Sequence, residues 1–130
     1  CPRWLEYIFV TGGYLSMQGA PIPWVYTHKL HHRYSDTDKD PHTPKKGFYY
    51  SLLSWIWSSR SLYTEEQINK EMADLIKDPY YKFLGVGRFP AKPWLNLGSC
   101  LLYRLVILFL FGHTAFLASM LAWVMGFFAP

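Results

Sequence analysis

The longest apolar run of the chain lies near its C-terminal end. Residues 105–129 contain no Asp, Glu, Lys or Arg, and these twenty-five residues are enough for a transmembrane helix at a rise of about 1.5 Å per residue. Counted from Trp94, a single helix would be roughly 50 Å long, well beyond a hydrocarbon core of about 30 Å. We therefore predict a membrane hairpin over residues 94–129, with a turn at 112–114 and a second helix that the chain end truncates.

The N-terminal stretch is also apolar. Residues 4–17 carry a single charge, Glu6, and lack the basic start and the small-residue cleavage site of a signal peptide. Because the chain begins at Cys1 without an initiator Met, we interpret residues 4–20 as the end of a truncated membrane helix and the chain as a fragment of a larger fold. Arg104 lies inside the first predicted hairpin helix, where a charge is costly, and we expect it to extend toward the membrane surface.

Between the apolar ends, residues 21–93 form a polar middle segment. Thr64 followed by Gln67 matches a capping box, which predicts an amphipathic helix over residues 64–77. The aromatic residues of 48–57 are typical of an interfacial belt beside a membrane. The whole pattern predicts an all-α fold, in which residues 1–130 form one partial domain of polytopic membrane helices with a helical segment outside the bilayer.

The charges indicate on which side of the membrane this middle segment lies. Eleven of the thirteen Lys and Arg fall within residues 29–92, so the positive-inside rule predicts that this segment is cytoplasmic in a multi-pass protein. Eight of the nine acidic residues share the same segment, and the bases form no stripe, which argues against a nucleic-acid partner despite the net charge of +4. Two cysteines, Cys1 and Cys100, are too few for a disulfide framework or a thiolate metal site.

Three histidines of the middle segment have the spacing of metal ligands. His28, His31 and His32 stand at i, i+3 and i+4, so on a helix all three imidazoles project from one face. With five histidines in the chain, this spacing would arise by chance in on the order of one such sequence in a hundred. Imidazole suits iron, copper, zinc and nickel alike, so the spacing indicates metal binding without naming the metal.

Two other metal sites fit the sequence less well. Asp36, Asp38 and Asp40 copy the first ligands of a calcium-binding EF-hand loop, but Pro41 and Gly47 stand where that loop requires Gly and Glu. A zinc hydrolase would need a Glu between the histidines to act as base, and this cluster has none.

Residues 18–57 resemble the second histidine box of the stearoyl-CoA desaturase-like membrane fatty acid desaturases. That box joins a small-residue turn, a Trp, a His-Arg-x-His-His motif, a Ser-Asp or Ser-Glu, an Asp-Pro-His, and a Gly-Phe with aromatics and a second Trp. Its counterparts here are Gln18-Gly-Ala-Pro, Trp24, His28-Lys-Leu-His31-His32, Ser35-Asp36, Asp40-Pro41-His42, Gly47-Phe48-Tyr49-Tyr50-Ser51 and Trp55. Two departures are Lys29 in place of the usual Arg and Leu52 in place of a frequent His.

The resemblance implies an oxidoreductase that introduces a double bond into an acyl chain, using two irons and O2. It makes His28, His31 and His32 iron ligands, with His42, Asp36 and Asp40 expected beside them in supporting roles. The family's other histidine boxes lie outside this sequence, so the irons would be only partly liganded here. Two alternatives stay open: a related diiron hydroxylase or ketolase, and a non-enzymatic metal-binding membrane module.

The resemblance also bears on partners. Acyl-CoA-using relatives carry an Arg-Asp pair before the first histidine, whereas this chain has Tyr26-Thr27, which favours an acyl-lipid or an acyl-carrier-protein over acyl-CoA as substrate. Electrons would come from a carrier such as ferredoxin or cytochrome b5. Lys45, Lys46 and Arg60 are candidates to meet an acidic face of that carrier.

Overall fold

A computed structural model describes residues 2–128, and the side chains of all of these except residues 59, 60, 127 and 128. The described residues contain helices and no strand, so the all-α prediction is confirmed for this part of the chain. The α-helices are α1 (Arg3–Leu15), α2 (Pro21–Tyr34), α3 (Trp55–Ser58), α4 (Glu65–Glu71), α5 (Ala73–Ile76), α6 (Pro79–Leu84) and α7 (Pro93–Phe128). Two 3₁₀ turns, Pro44–Lys46 and Ser59–Leu62, and a π-helical turn, Tyr50–Ser54, complete the list. The chain divides into two compact units, residues 19–92 and residues 2–18 with 93–128.

The unit of residues 19–92 is built around α2. Pro21 occupies the first turn of this helix, where the missing N–H of proline has no helical partner to lose. Ile22 and Tyr26 point from α2 into the core, where they are 0% and 2% exposed. Further core side chains come from the loop before α4, from α4 and its end, and from α6, namely Tyr63, Ile68, Met72, Tyr81 and Leu84. Burial of this apolar face fixes α2 and therefore the direction of its other side chains.

The predicted helix over residues 64–77 is present in two pieces. The capping box is confirmed, because Thr64 accepts from the Gln67 N–H and the Gln67 side chain accepts from the Thr64 N–H. The helix is interrupted at Met72, whose φ of −109° and ψ of 19° are not helical. A new helix starts at Pro79 with Asp78 as its N-cap, so the proline begins a helix instead of only ending one.

Two glycines permit close approaches at the edge of this unit. A Cβ on Gly19, which has φ +86°, would lie 2.6 Å from the ring of Phe89. A Cβ on Gly85 would lie 2.8 Å from that of Ala20. The segment that enters α2 therefore packs directly against the segment that follows α6.

The second unit packs α1 against α7. Helix α1 leaves its last carbonyls without helical partners, and side chains of α7 supply hydrogen bonds to them. Asn96 donates to Tyr14 O at 2.6 Å, and Trp123 Nε1 donates to Ser16 O at 3.2 Å. With 13 residues, α1 is about 20 Å long, which is shorter than a hydrocarbon core.

Helix α7 is broken at Gly112. Its φ of 78° and ψ of −175° belong to a region that only glycine adopts readily, and Gly112 is the first residue of the predicted turn. Arg104 and Trp123 would be about 28 Å apart along one straight helix, yet the guanidinium carbon lies 4.3 Å from the indole ring centroid. The chain therefore folds back at Gly112.

Among residues 2–128, one helical stretch is long and apolar enough to cross a membrane, judged by length and composition alone. It is Pro93–Gly126. Ala129, the last residue of the predicted hairpin, lies outside the described residues.

Candidate metal centre

Helix α2 carries the three predicted ligands on one face. The Nε2 atoms of His28 and His32 lie 3.0 Å apart, and the ring centroids of His31 and His32 are separated by 5.7 Å. His28 and His32 are exposed and His31 is half-buried, so their rings remain accessible while the opposite face of α2 is buried in the core. The periodicity argument therefore placed these side chains together correctly.

The distance between His28 and His32 has a chemical meaning. Two nitrogens bound at right angles to one metal ion, each at about 2.1 Å, would be separated by about 3.0 Å. Partial burial, followed by the nearby charges of His32 and His31, lowers the pKa of His28. A lowered pKa keeps His28 neutral at physiological pH, which is the form of imidazole that binds metals.

His31 is oriented by a buried carboxylate. Its Nδ1 lies 2.8 Å from Oδ1 of Asp40, a residue that is 0% exposed. Since an ionised carboxylate only accepts hydrogen bonds, the proton resides on Nδ1 and the Nε2 lone pair is left free. Metal-binding histidines in proteins commonly have this arrangement, in which a carboxylate sets both the tautomer and the ring orientation.

Asp40 connects the loop after α2 to the histidines. Besides His31, it accepts hydrogen bonds from the backbone N–H of His42 at 2.8 Å and from that of Asp36 at 2.9 Å. Burial by itself raises the pKa of Asp40, but the hydrogen bonds from His31 and from the two backbone groups together outweigh it, so the net pKa is lowered. Asp36 takes part through its backbone N–H, and its own side chain is exposed.

His42 lies beside His31 and is held between aromatic rings. Its ring centroid is 5.4 Å from that of His31 and 3.9 Å from that of Trp55. Burial is the main reason that the pKa of His42 is lowered to about 4. Trp55 in turn stacks on Phe89 at 4.9 Å. His42 is therefore a neutral, packed side chain next to the cluster.

Two tryptophans pack against histidines of the site, and the sequence had not predicted these contacts. Trp24 stacks on His28 with centroids 4.7 Å apart and an interplanar angle of 15°. Its position four residues before His28 was the signal, since i and i+4 side chains meet on a helix. Trp55 was expected in an interfacial belt, but it is 8% exposed and packs on His42, so that expectation was wrong for this residue. Phe48 and Tyr49 are exposed, at 82% and 69%.

The structure also locates the residues expected to discriminate the acyl carrier. Tyr26 and Thr27 are 2% and 1% exposed, and the Thr27 hydroxyl donates to backbone carbonyls of its own helix. A charged pair at these positions would be buried against Tyr63, which contacts Tyr26 edge-on at 5.3 Å. Among the other candidate contacts, Lys45 and Lys46 are exposed, and the Arg60 side chain lies outside the described side chains.

Within the described residues, no three His, Cys, Asp or Glu side chains form a group that could hold a metal ion by itself. The cluster offers one correctly spaced pair, His28 and His32, and one oriented imidazole, His31. These donors fit an imidazole-rich metal site in kind, but they are too few to complete it. The fifth histidine, His113, follows the break at Gly112 and belongs to the other compact unit.

The helical fold, the histidine cluster and the long apolar helical segment together define the class of protein, a histidine-rich helical protein with a candidate membrane segment. The chain belongs to the fatty acid desaturase family, because the sequence model of that family matches residues 2–130. Among curated proteins, it is 45% identical over 83 residues to "Delta-9 acyl-lipid desaturase 1" of Arabidopsis thaliana, covering 64% of this chain and 27% of that protein.

Two further relatives extend the comparison. The chain is 48% identical over 84 residues to "sn-1 stearoyl-lipid 9-desaturase" of Anabaena variabilis, covering 64% of this chain and 30% of that protein. It is 40% identical over 83 residues to "Acyl-CoA C20 Delta5-desaturase" of Anemone leveillei, covering 64% and 27%. The matched segment thus spans less than a third of each of these relatives. No solved structure matches the chain.

Proposed function

We propose that this chain supplies part of the iron site of a membrane desaturase that introduces a double bond into an acyl chain. The observation that carries the proposal is the His31–Asp40 hydrogen bond beside the His28–His32 pair, because together they place three imidazoles, one of them oriented by a carboxylate, on one helix face. The family membership and the names of the relatives support the reaction class. The rest of the ligand set would come from histidines outside these residues.

In this proposal, His28, His31 and His32 would hold the metal. When bound, a pair of iron ions together with O2 would supply the oxidising power that removal of two hydrogens from unactivated methylenes requires. The contribution of this chain is to orient the donors: Trp24 fixes the plane of His28, and Asp40 keeps the proton of His31 on Nδ1. His42 covers one side of His31 and is itself backed by Trp55, which limits access of water on that side.

The surroundings of the site are part of the same proposal. Residues 94–128 would form the membrane hairpin of a multi-pass protein, with residues 29–92 on the cytoplasmic side. The exposed Lys45 and Lys46 would meet an acidic electron carrier such as ferredoxin or cytochrome b5. The acyl group would be carried by a lipid, by an acyl-carrier-protein or by CoA, and relatives with lipid-linked and CoA-linked names both occur.

The test is substitution of each histidine by Ala in the full-length protein. His28→Ala, His31→Ala and His32→Ala should each abolish product formation and lower the iron-to-protein ratio, because the ligand shell cannot close without them. His42→Ala should reduce activity less, and His113→Ala is a matched control outside the cluster that should leave both readouts unchanged. Iron is measured by elemental analysis and the product by gas chromatography of the acyl chains.

Two results would contradict the proposal. Full iron content in the His31→Ala and His32→Ala variants would remove the metal-ligand assignment. A hydroxylated or oxidised acyl chain as the sole product of the intact protein would replace desaturation by a related reaction.

A further inference from the structure

The unit of residues 2–18 and 93–128 contains a buried charge. Arg104 lies eleven residues after Pro93, about 16 Å along α7, and is only 5% exposed. No carboxylate among residues 2–128 pairs with it. Its guanidinium is buried instead of reaching the surface at a helix end, so the expectation that it extends to the membrane surface was wrong. Intramembrane charges of this kind are rare and commonly functional.

The guanidinium is fixed in place but has few hydrogen bonds. Nη1 donates to Cys100 O at 3.0 Å, whereas Nε is buried without any partner. One face of the group rests on the indole of Trp123 at 4.3 Å, and Trp123 is itself held by its bond to Ser16 O. Stacking on an aromatic face leaves the in-plane N–H donors free to meet an acceptor.

An open cavity of about 320 Å³ lies beside this guanidinium and is lined by residues of α1 and of both arms of α7. Its volume equals about ten water molecules and falls at the lower end of the range of ligand pockets. Most of its wall is apolar, and small side chains create the space: Gly12, Ser16, Ser119, Ala122 and Gly126. An occupant would therefore meet one cation on an otherwise apolar wall.

We propose that this cavity binds the oxyanion end of a membrane amphiphile, with Arg104 as its hydrogen-bond donor. The planar guanidinium matches the oxygens of a carboxylate or a phosphate, and the apolar wall matches the first methylenes behind that group. The carboxylate of a fatty acid and the phosphate of a phospholipid share this chemistry. The inference rests on the proposed membrane placement of α7, and it does not depend on the histidine cluster.

The experiment uses the full-length protein in detergent with photoreactive palmitate and photoreactive phosphatidylglycerol as probes. Labelling is mapped to peptides of α1 and α7, and unlabelled palmitate, phosphatidylglycerol, inorganic phosphate and hexadecanol are the competitors. We expect competition by palmitate, by phosphatidylglycerol or by both, which identifies the source of the oxyanion, and none by hexadecanol, which has the chain without the charge. Arg104→Gln should lower the affinity about 10- to 100-fold, whereas Arg104→Lys, which keeps the charge but not the planar pair of donors, should lower it by less.

A second variant separates binding from folding. Ala122→Leu fills the cavity without altering Arg104 and should also abolish labelling, while the thermal unfolding midpoint stays close to that of the wild type. Wild-type labelling in Arg104→Gln would overturn the proposal. So would a loss of stability in Arg104→Gln combined with normal labelling in Ala122→Leu, since the guanidinium would then serve a protein acceptor. Iron content should be unchanged in all three variants, so failure here is distinguishable from failure of the proposed function.

Discussion

Removal of the Asp40 carboxylate tests how the candidate metal centre is oriented. Asp40 is fully buried and accepts hydrogen bonds from His31 Nδ1 and from the backbone N–H groups of Asp36 and His42. In Asp40→Asn, the amide oxygen can keep the bonds to His31 and His42 if it takes the place of Oδ1. The amide NH₂ then faces the Asp36 N–H, so this part-buried donor loses its acceptor. In Asp40→Ala all three bonds are lost.

The magnitudes follow from these contacts. A hydrogen bond to a charged group contributes about 1.5–3 kcal/mol, and removal of Asp40 also removes the cost of burying its charge, so we expect the loss of all three bonds in Asp40→Ala to cost about 3–5 kcal/mol. Asp40→Asn should cost about 0.5–1.5 kcal/mol, the usual net contribution of one hydrogen bond, because the Asp36 N–H is only part-buried. Loss of a residue that orients a ligand lowers metal affinity about 10- to 100-fold, which we expect in both variants because neither retains a charged acceptor for His31.

Two measurements on the full-length protein check this prediction. Iron retention against a graded chelator reports metal affinity, and hydrogen exchange reports the backbone bonds of the loop. In Asp40→Asn the Asp36 amide should exchange faster while the His42 amide stays protected. Asp38→Asn is the matched control, because Asp38 is exposed in the same loop. If Asp40→Asn retained iron as tightly as the wild type, the negative charge of Asp40 would not contribute to metal affinity.

Three other outcomes are expected. Gly19→Ala should lower the free energy of unfolding by about 2–4 kcal/mol, because the new Cβ clashes with the Phe89 ring and the residue is also strained at φ +86°. Gly47→Ala, at φ +94° with open space around it, should show the backbone strain alone. Equal unfolding midpoints for the two variants would contradict this. Cysteines introduced at the exposed positions Ser58 and Lys70 should react with an impermeant thiol reagent only from the cytoplasmic side, and labelling from the opposite side would reverse the proposed topology. The isolated 130-residue chain should not desaturate acyl lipids in the presence of iron, O2 and reductant, because its described residues hold no complete metal-binding group; a desaturated product would refute this.

Local features of the site were accessible from the sequence. The i, i+3, i+4 spacing placed His28, His31 and His32 on one helix face, because helical periodicity depends only on neighbouring residues. The capping box at Thr64 and the break of α7 at Gly112 were also predictable, because each depends only on residues close together in the sequence. The resemblance to desaturases was likewise carried by short motifs, and the family match confirmed it.

Features that depend on distant segments were not accessible in this way. Trp55 has the composition of a membrane-interface residue, yet it packs on His42 and Phe89, which are 13 and 34 residues away. Tyr26 and Thr27 precede a predicted ligand, His28, but they occupy the turn of α2 that faces Tyr63 and the core. Helical phase alone did not reveal this, because it does not specify which face of α2 the later helices cover.

The sequence by itself indicated the kind of protein, because its short motifs resemble those of desaturases, and it located the histidine cluster and the long apolar stretch, because spacing and apolar length are properties of neighbouring residues. Only the tertiary structure decided which contacts the expected supporting residues make with the histidines and which charge is buried. Asp40 reaches His31 because the loop after α2 folds back, and Arg104 is enclosed because α7 reverses at Gly112 and returns Trp123 to its side. Such contacts depend on the burial of apolar surface across the whole unit, which no local pattern encodes.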